Sequence, residues 1–119
     1  MEKTIFVVDD NAFSLTVVEH TLEDYFNVIT FSSAKKMFTA LEKITPDLIL
    51  LDVEMPEMTG FEAMALLKAS DSHSKIPVLF LSGTDDPSER AHGIELGAKD
   101  FVIKPIDIAK LIECIGNYI

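Results

Sequence analysis

At 119 residues, with 48% hydrophobic and 25% charged side chains, the chain has a globular composition and is long enough to bury a core without disulfides or a structural metal, so residues 1–119 are read as one domain. Twenty acidic against ten basic side chains give a formal charge of −10, which opposes a phosphate backbone and an anionic bilayer surface; direct nucleic-acid and membrane binding by this chain are not expected. Apolar runs such as Ile5 to Val8 and Leu48 to Leu51 fall far short of the ~20 residues of a membrane span, and the N-terminus enters directly into a strand, so a soluble cytoplasmic protein is expected.

The first apolar run, Ile5 to Asp9, is followed by a helical pattern in which Leu15, Val18 and Leu22 share a face. A second run, Val28 to Phe31, is mixed in character and suits an edge strand; the helix after it carries Ala34, Met37, Phe38 and Leu41 on one face, with Ser32 or Ser33 as its N-cap. The third strand, Leu48 to Asp52, leads to a helix over Gly60 to Ala69 that is apolar at Met64 and Leu67. After the fourth, Val78 to Ser82, the segment Asp86-Pro87-Ser88-Glu89 is a helix start signal: Asp86 at the cap, Pro87 in the first turn and Glu89 three residues beyond the cap. This helix is expected to end at Gly97, and Gly93 inside it should weaken it by about 1 kcal/mol relative to alanine, which would ease its displacement. The fifth strand, Phe101 to Ile103, precedes a helix beginning after Asp107, in which Ile108, Leu111, Ile112, Ile115 and Ile119 should cover the sheet to the last residue.

Strands and helices thus alternate five times. Continuous rather than alternating apolar runs fit strands covered on both faces, and right-handed crossovers then give a doubly wound α/β sandwich, a five-stranded parallel sheet of flavodoxin-like order 2-1-3-4-5. In such sheets the functional crevice lies beyond the carboxyl ends of the strands, near the reversal of strand order.

Those ends carry Asp9 and Asp10 after the first strand, Asp52 after the third, Ser82 after the fourth and Lys104 after the fifth. Three carboxylates within a few ångströms repel by roughly 1 kcal/mol per pair in water and up to ~4 kcal/mol at an effective dielectric near 20, so a compensating cation is required. Oxygen donors without Cys or His select Mg²⁺, or Mn²⁺ in its place. Three carboxylates, one lysine ammonium and a divalent ion balance to a neutral pocket that a dianionic phosphoryl group can enter. The scattered histidines His20, His73 and His92 and the single Cys114 offer no zinc-ligand spacing.

The segments Val7-Val8-Asp9-Asp10-Asn11, Leu50-Leu51-Asp52-Val53-Glu54-Met55-Pro56 with Gly60, Phe80-Leu81-Ser82-Gly83, Gly97-Ala98 and Lys104-Pro105 occur in order, each at the end of its own strand or helix. In these features the chain resembles, over its whole length, a receiver domain of the response-regulator family of two-component signalling. The resemblance implies that Asp52 is the phospho-accepting nucleophile, taking a phosphoryl group from a phosphohistidine of a histidine kinase or histidine phosphotransfer protein. It implies that Asp10, Asp52 and the backbone carbonyl of Glu54 ligate Mg²⁺, with Asp9 on a metal-bound water. Lys104 and the Ser82 hydroxyl are implied to bind phosphoryl oxygens, and Pro105 matches a cis-proline that aims the lysine. For output it implies a switch in which Ser82 moves to the phosphate and Phe101 swings from exposed to buried, changing the surface of the fourth helix, fifth strand and fifth helix. A homodimer through that surface, or a downstream output domain or target protein, is the form such a signal takes. On this reading the domain is no enzyme, acting only on its own phosphorylation state.

Ser82 stands where threonine is more frequent in the family and Phe101 where tyrosine is, while Glu54 and Thr84 occupy positions that influence acyl-phosphate lifetime. Three other readings compete. An aspartyl phosphatase would carry an Asp-x-Asp at the first strand end and a cap domain, and Asp9-Asp10-Asn11 lacks the former. A flavodoxin-like cofactor binder would need a Ser/Thr/Gly-rich loop where this chain has two carboxylates. A receiver-like interaction module that no longer accepts phosphate would lack one of the five chemical positions. The chain is expected to be either a free-standing receiver or the N-terminal part of a longer regulator, whose kinase and stimulus the sequence does not identify.

Overall fold

The computed structural model describes residues 2–119, so the first residue of the expected 1–119 domain lies outside the described residues. Ten elements alternate along the chain: β1 (Thr4–Val8), α1 (Ala12–Leu22), β2 (Asn27–Phe31), α2 (Ala34–Leu41), β3 (Leu48–Asp52), α3 (Gly60–Ala69), β4 (Val78–Ser82), α4 (Pro87–Glu95), β5 (Asp100–Ile103) and α5 (Ile108–Tyr118). The strands form one parallel sheet in the order β2-β1-β3-β4-β5, as expected. β3 and β4 are buried at every position, whereas β2 at the edge is exposed or half-buried throughout.

Alternation along each strand sends neighbouring residues to opposite faces, which explains the unbroken apolar runs. Ile5, Val7, Leu48, Leu50, Leu79 and Leu81 pack with Val18 and Leu22 of α1 and Leu111 and Ile115 of α5. Phe6, Val8, Ile49, Leu51, Val78 and Phe80 pack with Met37 of α2, Met64 and Leu67 of α3, and Phe101. Each fully buried large side chain contributes about 1.5–3 kcal/mol of transfer free energy, so these two layers dominate the fold's stabilisation.

Caps fix the helix starts. Asn11, Ser33, Thr59 and Asp107 accept backbone N–H bonds from the first turns of α1, α2, α3 and α5, and Thr59 with Glu62 forms a reciprocal capping box that the sequence reading did not include. At α4 the expected cap holds, with Asp86 Oδ1 accepting from Ser88 N–H at 2.9 Å and Pro87 in the first turn, but Glu89 does not return to the cap. α4 ends before Gly97, whose φ of +112° is the left-handed conformation that terminates helices. α5 ends at Tyr118, one residue short of Ile119, and Ile108, the first helical residue, is 44% exposed instead of covering the sheet.

Among the described residues of α4, only Gly93 is buried. A Cβ there would lie 3.0 Å from the Phe80 ring and 3.1–3.2 Å from that of Phe101, so Gly93 owes its place to the aromatic rings beneath it as well as to helix propensity. A tighter approach occurs at Gly60, whose N–H donates to Val53 O at 2.8 Å. A Cβ at Gly60 would overlap the Asp52 carbonyl oxygen and stand 2.9 Å from Val53 Cα. Gly60→Ala is therefore expected to lower stability by roughly 1–3 kcal/mol, read as a fall in the urea midpoint. An unchanged midpoint would mean that the β3–α3 loop relaxes freely away from the sheet.

Candidate functional site

Register brings the strand ends together. Val8 pairs with Leu51, Asp52 with Leu81 and Ser82 with Ile103, so Asp9 and Asp52 are level at the carboxyl edge of β1 and β3, with Ser82 one residue and Lys104 two residues beyond that level at the ends of β4 and β5. β1 ends at Val8 and leaves Asp9 just outside the ladder, one residue earlier than expected. Its N–H still bonds Phe31 O at 3.1 Å, and its Oδ1 accepts from the Asn11 N–H at 3.0 Å. The chain thus turns straight from strand into α1 with the Asp9 carboxylate held in place.

Asp9 and Asp52 are buried and Asp10 is exposed; oxygens of all three lie within 4.8 Å of one another. Lys104 Nζ donates to Asp9 Oδ2 at 3.0 Å and stands 3.4 Å from Asp52 Oδ1. The peptide joining Lys104 to Pro105 is cis. Asp9, Asp10, Asn11, Ser14, Asp52, Glu54, Gly83, Thr84 and Lys104 line an open cleft over this cluster. Glu54 lies on its exposed rim.

The electrostatics are those of an excess of negative charge. Burial first, and the Asp9 carboxylate second, push the Asp52 pKa up from 3.8 to about 7, with Lys104 only partly offsetting them. Burial works against the Lys104 ammonium, but its hydrogen bond to Asp9 and the charges of Asp52 and Asp9 outweigh that and hold its pKa above the ordinary value. One ammonium is thus insufficient for the three carboxylates. The donor set is wholly oxygen and fits a hard divalent cation of the Mg²⁺ class, the ion the sequence implied.

Three expected residues, Ser82, Phe101 and Pro105, do not line the cleft. Ser82 is buried, and its hydroxyl points to α4, donating to Glu89 Oε1 at 2.9 Å while accepting from the Thr84 N–H at 3.1 Å. Phe101 is buried, 3% exposed, with its ring 6.0 Å from that of Phe80 and packed under Gly93. Glu89 is the functional candidate that sequence reasoning missed. Its spacing from Asp86 signals a cap, and no local periodicity connects it to Ser82.

A family model described as the response regulator receiver domain matches residues 5–116. A probable cyclic di-GMP phosphodiesterase of Vibrio cholerae is 37% identical over 91% of this chain and 24% of its own length. The alkaline phosphatase synthesis transcriptional regulatory protein PhoP of Bacillus subtilis is 36% identical over 88% of this chain and 43% of its own. The chain therefore spans a quarter to less than half of the length of these relatives. Among solved structures, the chemotaxis protein CheY4 of Vibrio cholerae superposes with a TM-score of 0.94 at 27% identity, covering all of both chains.

Proposed function

The chain belongs to the response regulator receiver domain family, and from that premise we propose that it accepts a phosphoryl group on Asp52 in a Mg²⁺-dependent step and signals by a change of surface. The observation that carries the proposal is Asp52 itself: a buried carboxylate at a strand end, opening into a cleft, with Lys104 and two further carboxylates beside it.

The donor is a phosphohistidine of a histidine kinase or histidine phosphotransfer protein. An Asp52 carboxylate oxygen forms a bond to phosphorus, and the phosphorus–nitrogen bond breaks with its electron pair returning to the donor imidazole. Mg²⁺ would be held by Asp10, Asp52 and the Glu54 carbonyl, with Asp9 on a metal-bound water, and when bound it supplies neutralisation of carboxylate and phosphoryl charge. Lys104 already reaches both Asp9 and Asp52, so its ammonium is in place to bind a phosphoryl oxygen without a change of register. Ser82 supplies the hydroxyl for another oxygen once it turns into the cleft, and the face of α4, β5 and α5 carries the change to an output domain, a target protein or a second copy. In this reading the domain turns over nothing but its own acyl phosphate, and it works in the cytoplasm.

Incubation with acetyl phosphate is expected to add the mass of one phosphoryl group in the presence of Mg²⁺ and none after chelation, read by intact mass spectrometry. A protein that gains no mass with the ion present would overturn the proposal.

A further inference from the structure

We propose that Glu89 is a positioning residue for the phosphorylation switch: it holds the Ser82 hydroxyl in an outward-turned state that must be given up before Ser82 can bind a phosphoryl oxygen. The proposal rests on the phospho-acceptor reading above and adds to it a second claimant for the Ser82 proton.

A serine hydroxyl has one proton to donate. In this structure that proton goes to Glu89 Oε1 at 2.9 Å, and the Thr84 N–H, donating to Ser82 Oγ at 3.1 Å, fixes the hydroxyl from the other side. Ser82 is only 2% exposed and contributes nothing to the cleft lining, although its neighbours Gly83 and Thr84 do. Donation to a phosphoryl oxygen therefore requires that the bond to Glu89 break. A charge-assisted bond in a half-buried position is stronger than a neutral one, so the resting state is favoured until a more highly charged acceptor arrives at Asp52.

The same bond ties the site to α4. That helix buries only Gly93, and its other ties to the sheet edge are polar: Arg90 donates through Nη1 to Phe101 O and through Nη2 to Asp100 Oδ1, both at 3.1 Å. Glu89 is the α4 residue that bonds a side chain from the end of β4. Withdrawal of the Ser82 proton leaves the Glu89 carboxylate without that donor, in the first turn of a helix with few apolar anchors and beside an incoming dianion that repels it. Loss of this contact frees the Glu89 side of the first turn of α4 to shift about its remaining ties, the Arg90 bonds to β5 and the Gly93 contact with the Phe80 and Phe101 rings. In this chain the exchange of the Ser82 hydrogen bond from Glu89 to a phosphoryl oxygen is then the step that phosphorylation drives.

The test is titration of beryllofluoride with Mg²⁺, a phosphoryl mimic, into the wild type, Glu89→Ala, Glu89→Gln, Ser82→Ala and the Ser82→Ala/Glu89→Ala double variant, each first checked for native amide spectra. Removal of the competing acceptor should tighten binding roughly tenfold in Glu89→Ala, and by about threefold in Glu89→Gln, whose amide oxygen still accepts but carries no charge. In the Ser82→Ala background the effect of Glu89→Ala should shrink to less than about twofold, since no hydroxyl remains to be released. The free Glu89→Ala protein should melt earlier than wild type, and the beryllofluoride-saturated protein should not, a difference that a general structural role would not produce. Equal affinity of wild type and Glu89→Ala, or equal tightening with and without Ser82, would overturn the latch. A wild type that binds no beryllofluoride at all would instead remove the phospho-acceptor reading, and the latch with it.

Discussion

Asp52→Asn is expected to accept no phosphoryl group from acetyl phosphate with Mg²⁺, and at the same time to be more stable than wild type at pH 8 without a divalent ion. The two outcomes have one cause. Above pH 7 the Asp52 carboxylate is ionised although burial and the Asp9 charge disfavour that form. Asparagine keeps the shape and removes the charge, so the excess negative charge in the cluster falls while Lys104 remains paired with Asp9 at 3.0 Å. The gain should be roughly 1–3 kcal/mol, less than the full electrostatic penalty because an amide is also desolvated there and loses the attraction of Lys104. The loss of function should be complete, since an amide oxygen is too weak a nucleophile and Asp9 is already bonded to Lys104 and the Asn11 N–H. Intact mass and a urea midpoint on the same samples check both. Undiminished mass gain would move the acceptor to another residue, and a fall in stability would show that the charge cluster holds the fold together instead of straining it.

The parts of this picture that were legible in the sequence are those set by backbone periodicity. Runs such as Leu48 to Asp52 announce a strand covered on both faces, and once five such strands lie parallel, their ends must share an edge; Asp9, Asp52 and Lys104 meet there for that reason. Ser82 was placed correctly by the same logic, but a strand register says where a hydroxyl begins and not which acceptor it chooses. Glu89 shows the limit most clearly. Three residues after Asp86 it fits a capping box, and the alternative partner, seven positions back across a loop, becomes visible only when the β4–α4 connection is folded. Gly93 was legible as a poor helix former, yet its space is occupied by the Phe80 and Phe101 rings, a packing fact that no propensity contains. Phe101 was expected to alternate between exposed and buried; the structure has it buried, with its ring in the space that the missing Cβ of Gly93 leaves.

Without a divalent ion, the wild-type protein is expected to lose stability as pH rises from 5 to 8, and Mg²⁺ is expected to stabilise it more at pH 8 than at pH 5. The folded-state pKa of Asp52 is raised from 3.8 to about 7, so between those values the folded protein keeps a proton that the unfolded chain has released. Where the native state binds more protons, unfolding becomes easier as pH rises, and the contribution fades through pH 7. From pH 5 to 8 the fall from this one group is on the order of 3 kcal/mol. Lys104 does not blur the window, since its raised pKa makes its contribution disappear only in the alkaline range above 10.5. Mg²⁺ selects the ionised carboxylates, so below pH 7 its binding must expel the Asp52 proton and is weaker, whereas at pH 8 the site is ready for it. Urea midpoints at pH 5, 6, 7 and 8, with chelator and with Mg²⁺, give the two curves, and Asp52→Asn under the same conditions subtracts every other titrating group. The difference between wild type and Asp52→Asn should grow with pH in chelator and shrink when Mg²⁺ is added. A difference that is flat across the range, or that Mg²⁺ leaves untouched, would mean that Asp52 titrates as an ordinary solvated carboxylate and that the cluster has no need of a cation.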